Sequence, residues 1–244
     1  MTYVARAHLA ASAIVPSSDY NQGMDNEAYL KSEHDLATPA ALNSGWRQDG
    51  NTWAYVSASI FGISGFSAST LYQKGTRIRW KDGGTFKYAA TACSSGSQFA
   101  FTGGADYSAA SAVITDNYYS YELSPCGYPD HFAYAASVVG FTGALSSCQI
   151  SFHVEGERCT LTFYVGGTSN ATNLTITTPL RAGSTAGRHW YVPLGTTYDA
   201  GAYAALGSVE LLASGSIASV YKSAQAGWTN SGGKVAFASL VYEF

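Results

Sequence analysis

Histidine stands beside aspartate twice in this chain, at His34-Asp35 and Asp130-His131. Such a pair does acid–base work only where the fold aims the imidazole at a third group. Neighbours in sequence guarantee nothing of that kind, and both pairs are expected to be loop residues facing solvent. The stretch GSTAG, residues 183–187, has the outline of a nucleophile elbow, but Thr185 takes the central place. It also lies in a Gly/Ser/Thr-rich turn without the strand-turn-helix context that exposes a nucleophile. Glu155 and Glu157 flank Gly156, whereas a glycosidase needs its two carboxylates across a cleft. They read as solubilising residues of a turn. GGTSN lacks the lysine and the following helix of a phosphate-binding loop. Asn170-Ala-Thr and Asn173-Leu-Thr match the glycosylation sequon, which matters only in a eukaryotic secretory route. No catalytic residue and no cofactor are expected.

The four cysteines, Cys93, Cys126, Cys148 and Cys159, contain no C-x-x-C pair, so metal-ligand spacing is absent. In CQISFHV and CTLTFYV the alternate residues are apolar, and the EGER turn joins the two into a hairpin. That places Val154 near Cys159 and Cys148 at the far end. Both thiols are then expected on the core face, beyond the ~7 Å Cα separation that a bridge tolerates. All four are read as free, which fits assembly in a reducing cytosol.

What remains is aromatic. Trp190, Tyr191, Tyr198, Tyr203 and Trp228 fall near turns of the last part of the chain, and flat rings with a polar handle suit sugar faces and interfaces. The stretch TTYDAGAYAALG, residues 196–207, is the best candidate for a contact loop, presenting Tyr198 and Tyr203 with Asp199.

The elements that would position these rings are strands. Charged residues make up 12% of the 244 residues, about half the usual share, and Gly, Ser, Thr, Ala and Tyr are abundant. The net charge of -3 and the lack of a basic stripe exclude nucleic acid as an expected partner. No apolar run reaches the roughly 18 to 20 residues of a membrane helix, so no membrane insertion is expected. Arg6 and His8 interrupt the short apolar N-terminus and argue against a cleaved leader.

Three parts emerge. Residues 1–44 hold a short helical signal, SSDYNQGMDNEAYL, with Ser17 or Ser18 as cap and Asp19 in the first turn. Tyr20, Met24 and Ala28 form a narrow apolar stripe, so the helix needs a surface to dock on. Residues 45–123 form a small β-domain. Its clearest hairpin is TRIRWKDGGTFKYAA, in which Ile78 and Trp80 alternate with Arg77, Arg79 and Lys81. The basic face is expected to be a solvated outer surface, the alternative being a patch for an anionic polymer. After LSPCGYPDHF, residues 124–244 carry short, evenly spaced strands with Gly-rich turns, as a β-sandwich or jelly roll does. The last strand is apolar on both faces, with Val235, Phe237 and Val241 against Leu240, Tyr242 and Phe244. One sheet covers one side, and a neighbouring subunit is expected to cover the other.

The chain resembles the fibre proteins of tailed-bacteriophage virions. At the N-terminus Ser17, Ser18, Asn21, Asp25, Asn26 and Leu30 are similar to a virion-anchoring segment. The middle part resembles a fibre β-domain through Trp53 and Tyr55, the strand Lys74 to Trp80, the F-K-Y strand and the closing YYSY, Tyr118 to Tyr121. EGERCTLTFYVGGTSNAT, a strand ending in Pro179, and the turn Trp228 to Gly233 resemble a distal β-sandwich knob. The resemblance implies an all-β homotrimer located in the virion, assembled in the host cytoplasm. It would be anchored through Tyr20, Asn21, Met24, Asp25, Asn26 and Leu30 to other virion proteins. Its knob would meet a host-surface glycan or protein, with Tyr198, Asp199, Tyr203, Trp190 and Trp228 as candidate receptor contacts. A capsid decoration or adaptor role, and a carbohydrate-binding module of a secreted enzyme, are the alternatives.

Overall fold

Apolar residues at every second position, broken by Gly- and Asp-containing turns, leave little choice but strands. The computed structural model describes residues 44–185, 188–193, 197–204, 207–223 and 225–244. Among them there is no α-helix, only a single 3-10 turn at Ala68–Thr70. The segment containing Tyr20, Asn21, Met24, Asp25, Asn26 and Leu30 lies outside the described residues, as does His34-Asp35.

The strands of the first sheet are β1 (Arg47–Gln48), β2 (Trp53–Ser57), β3 (Ile60–Ile63), β4 (Arg77–Lys81), β5 (Phe86–Ser95), β6 (Gln98–Thr102) and β7 (Thr115–Ser120). They form an antiparallel sheet in the order β1-β7-β4-β5-β6-β3-β2. The β4–β5 hairpin turns at Asp-Gly-Gly as its sequence predicts, but Lys81 stands opposite Phe86 and Arg79 opposite Tyr88, so the β5 aromatics fall on the basic face and not beside Ile78 and Trp80. Gly83 and Gly84 take φ of 153° and 115°, a region that side-chain-bearing residues avoid. On one face Trp53, Phe61, Tyr72, Trp80, Phe99 and Phe101 make an aromatic core. The rings of Tyr72 and Phe99 stack at 4.2 Å, and those of Phe61 and Phe101 at 4.7 Å. Asp49 is buried beside them and is fully engaged. It accepts from Trp53 Nε1 at 2.7 Å, from the Tyr72 hydroxyl, and from the Asn51 backbone and side-chain amides.

The basic face of β4 departs from expectation. Arg77 and Arg79 are buried, not solvated. The reason is register: Arg79 pairs with Tyr88 and Lys81 with Phe86, so the aromatic residues of β5 share the arginine face. The Arg79 guanidinium lies 4.2 Å from the Tyr118 ring centroid, 4.4 Å from Phe86 and 4.8 Å from Trp46. Ring faces attract a cation and shed water from it at the same time. An arginine-rich alternation therefore reads here as an inward face.

The rest of the chain supplies β8 (Phe132–Ala133), β9 (Val138–Val139), β10 (Ser147–Glu155), β11 (Arg158–Thr168), β12 (Thr175–Thr177), β13 (His189–Pro193), β14 (Thr197–Asp199), β15 (Ala202–Ala204), β16 (Ser208–Leu212), β17 (Ile217–Tyr221) and β18 (Gly233–Glu243). Two antiparallel sheets result, ordered β15-β14-β18-β11-β10-β8 and β13-β16-β17-β12-β9. They enclose one core in which Phe152, Leu161, Phe163, Leu240 and Tyr242 of the first sheet meet Ile176, Val209, Leu211 and Val220 of the second. The β10–β11 hairpin forms as expected, with Val154 opposite Cys159 and Cys148 at the far end, opposite Val165. All four cysteines are free. Cys159 is buried, and burial pushes its thiol up to about 12. Cys148, expected inside, is exposed: it lies near the start of β10, beyond the two residues that β8 pairs, although Val165 opposite it is buried.

The first sheet is bolted to the sandwich. Arg77 donates from Nη2 to the Val154 carbonyl at 3.1 Å and lies over the Tyr128 ring. Lys74 Nζ donates to the Phe244 backbone oxygen at 2.5 Å. Ala105 N donates to the Ala133 carbonyl at 2.7 Å.

Candidate functional site

Alternation in β10, β11 and β18 sends one set of residues into the core and the other outward. Ile150, Phe163 and Leu240 are buried, while Tyr164, Phe237 and Val241 are 42%, 47% and 48% exposed. Because the three strands are adjacent and in register, the outward residues fall into rows across the sheet. Tyr164 is flanked by Phe237 and Gln149. One row further along, Thr162 is flanked by Ser239 and Ser151. Thr162 Oγ1 and Ser239 Oγ are 2.9 Å apart and hydrogen bonded.

The β14–β15 hairpin extends this face at its aromatic end. Tyr198 pairs with Val235 of β18 and with Tyr203 of β15, and the two tyrosine rings meet edge-on at 5.3 Å. Tyr203 is 80% exposed. The stretch expected as a long turn is thus an edge hairpin, and its rings continue the row structure of the sheet. Tyr203, Tyr198, Phe237 and Tyr164 form the aromatic half of the outer face.

Across the hydroxyl row runs an open groove of about 1060 Å³. Its floor holds Ser151, Thr162, Tyr164, Phe237 and Ser239, with Pro193 at one end and Ala133 and His131 at the other. Among the described residues that line it there is no Asp, Glu, Lys or Arg. Its rings and hydroxyls can stack on and hydrogen-bond with a bound molecule, and the imidazole of His131 borders them at one end.

The other expected contact residues are placed differently. Trp228 is buried and donates from Nε1 to the Val220 carbonyl at 2.7 Å, so it is part of the core. Asp199 is buried as well. It accepts from Lys222 Nζ at 2.8 Å and from Thr229 Oγ1 at 2.8 Å, tying the hairpin to the loop before β18. Burial alone would raise its pKa, but the bonds from Lys222 and Thr229 outweigh it and hold the carboxyl below the usual range. Trp190 is half-buried on β13, its ring 6.4 Å from that of Tyr242. Tyr191, on the same strand, points outward from the five-stranded sheet and donates to Ser208 Oγ at 2.8 Å. Of the five residues expected to meet a receptor, the fold brings together Tyr198 and Tyr203.

Of the groups with catalytic outlines, Asp130-His131 and Glu155 are drawn together around His153, while Thr185 is not part of that cluster. Glu155 pairs with His153 Nε2 at 3.3 Å at the turn end of the outer face, and Glu157 projects from the adjacent turn. His131 and His153 approach ring to ring at 5.8 Å, and His153 Nδ1 lies 2.6 Å from the Asp130 backbone oxygen. Thr185 is exposed, and residues 186–187 beside it lie outside the described set. Among the described residues, no three His, Cys, Asp or Glu side chains converge as metal ligands.

Sequence reasoning passed over Tyr164, Thr162 and Ser239. Their signal was present in TLTFYV and VAFASLVYEF, where the outward positions read Thr, Thr, Tyr and Val, Phe, Ser, Val. What it lacked was the pairing of strands so distant in the chain. Comparison with protein-family models, with curated proteins and with solved structures gave no match.

Proposed function

We propose that this chain is a fibre-type structural protein of a tailed-phage virion, in the tail or on the head. Residues 1–44 would attach it to the particle, with residues 45–123 as a small β-domain. Residues 124–244 would form a jelly-roll-like knob that meets a host-surface carbohydrate, three chains assembling as a homotrimer. The observation that carries this reading is the outer sheet face on which Tyr203, Tyr198, Phe237 and Tyr164 lie together, beside a groove lined by no Asp, Glu, Lys or Arg among the described residues. Such a face has the chemistry of adhesion. Each ring stacked on a sugar contributes on the order of 1 kcal/mol, which is weak in one copy and firm when several copies bind together.

The test is location and adhesion. Gold-labelled antibody against this chain should decorate intact particles, and the purified protein should adhere to host cells with the mass of three chains in light scattering. Replacing Tyr198 and Tyr203 together by Ala should reduce adhesion while leaving the melting temperature unchanged. Unlabelled particles with a monomeric, non-adhering protein would remove this reading.

A further inference from the structure

We infer that the transverse groove on the six-stranded sheet is a binding site for a neutral glycan, lying across the strands with its rings on Tyr164 and Phe237. The inference rests on the proposed adhesive function and deepens it by naming the ligand class and the place.

Three features of the groove converge on that class. The first is the hydroxyl row. Ser239, Thr162 and Ser151 are side by side on three neighbouring strands. Strand spacing sets them roughly 5 Å apart, and each hydroxyl both donates and accepts. A polyhydroxyl ligand is the partner that can answer such a row at every step. A peptide strand would instead seek the free backbone of a sheet edge, and the rings and most of the hydroxyl row lie on β18 and β11, which are flanked by strands on both sides; β10 meets β8 at Ser151 and Phe152.

The second is the adjoining ring pair. Tyr164 and Phe237 are directly opposite each other, about half exposed, one row from the hydroxyls. Their flat faces beside a polar row match the two-sided character of a pyranose, apolar on its C–H face and hydroxylated at its rim.

The third is charge. No Asp, Glu, Lys or Arg lines the groove among the described residues. Sialylated or sulfated chains would ask for Arg or Lys to replace the water lost from their acid groups. The charged residues of this face, Glu155, Arg158 and Glu243, are gathered at the turn end, away from the rings.

The experiment uses the full chain on an array of neutral gluco-, manno- and galacto-oligosaccharides printed beside sialylated and sulfated glycans. Binding is expected on neutral spots. Tyr164→Ala, Phe237→Ala and Thr162→Val should each weaken it by about 5-fold. Thr162→Val keeps the side-chain shape, so it reads the hydroxyl even if a ring variant folds poorly. Preference for the anionic spots, a blank array, or equal binding by all three variants would overturn the inference. So would a fall in mass for Tyr164→Ala, because the face would then belong to a second copy of the chain. Host-cell adhesion, measured in parallel, separates this inference from the reading beneath it. If wild type and Thr162→Val adhere equally and the array is blank, the groove assignment fails and the adhesive function stands. If wild type does not adhere at all, the adhesive function fails whatever the array shows.

Discussion

Lys234 is the residue whose role is least visible in sequence. It opens the last strand, where a lysine reads as a solvated terminus. In the fold it is buried, and its Nζ donates to the carbonyls of Gly140, Ala171 and Asn173 at 3.0, 2.9 and 3.3 Å. One ammonium thus satisfies three loop carbonyls between the rings of Phe141 and Trp228. Lys234→Met preserves the stem but strands those acceptors, and should cost about 3 kcal/mol in urea unfolding. Arg77 and Arg79 were illegible for the same reason: a charge pattern says which residues alternate, not which face has rings to cover them. Asp82 and Asp199 give the acid limb of stability. Burial opposes ionisation at each. At Asp82 the opposing bonds come from Lys87, the Ala110 amide and Trp80, and at Asp199 from Lys222 and Thr229, leaving both pKa values lowered from 3.8. The unfolded chain therefore takes up these protons first as pH falls. The stability they contribute is complete well above pH 3.8 and disappears as pH drops through the lowered values. Melting temperature followed from pH 7 to pH 2 should fall steeply at the acid end, and Asp199→Asn should flatten part of that fall.

At the level of elements, the long strands were readable and the short ones were not. β10, β11 and β18 each carry a long alternation, and the turns of both hairpins were readable, but the face of β5 was not, since Phe86 and Tyr88 stand opposite Lys81 and Arg79 and not beside Ile78 and Trp80. β8 and β9 are two residues each, and β14 and β15 three, too short to show a period. They exist because neighbouring strands offer them free hydrogen-bonding groups, a condition set by tertiary structure. The same dependence appears where two turns meet. Gly75 has φ 74°, and a Cβ on it would overlap the backbone carbonyl of Gly156 in the β10–β11 turn. Only the absence of a side chain lets these turns touch. Gly75→Ala combines backbone strain with a forced separation of the turns, and should lower stability by about 2 to 4 kcal/mol. Gly84→Ala is the control, since its φ of 115° is also strained but nothing lies within reach of a Cβ there. A Gly75→Ala loss no larger than that of Gly84→Ala would mean the contact itself contributes nothing.

For the molecule as a whole, sequence suggested separable parts joined at a Pro- and Gly-rich connector. The sheets do divide along the chain, with β1 to β7 in one and β8 to β18 in the other two. The connector, however, is no loose tether. Tyr128 within it is packed against the sandwich core and faces the rings of Trp46 and Tyr88 at 6.2 and 6.4 Å. Trp46 Nε1 donates to the Cys126 carbonyl at 2.8 Å. With Lys74 and Arg77 reaching across as well, the first sheet and the sandwich should melt together. Calorimetry is expected to show one transition whose van't Hoff and calorimetric enthalpies agree. Arg77→Ala should split it into two.

The position of β18 governs how the protein can be made. It lies between β11 and β14, and its pairing with β11 runs from Arg158 opposite Glu243 to Thr168 opposite Gly233. Yet of the described strands it is the last to leave the ribosome. Until then β11 waits with a bare edge eleven residues long, and the sandwich has no middle. A nascent chain in that state can be completed by its own C-terminal strand or by that of a neighbour on the same messenger, and the second outcome is a strand exchange between copies. A stop codon ahead of Gly233 would leave that edge permanently open, so its product should be found in the insoluble fraction.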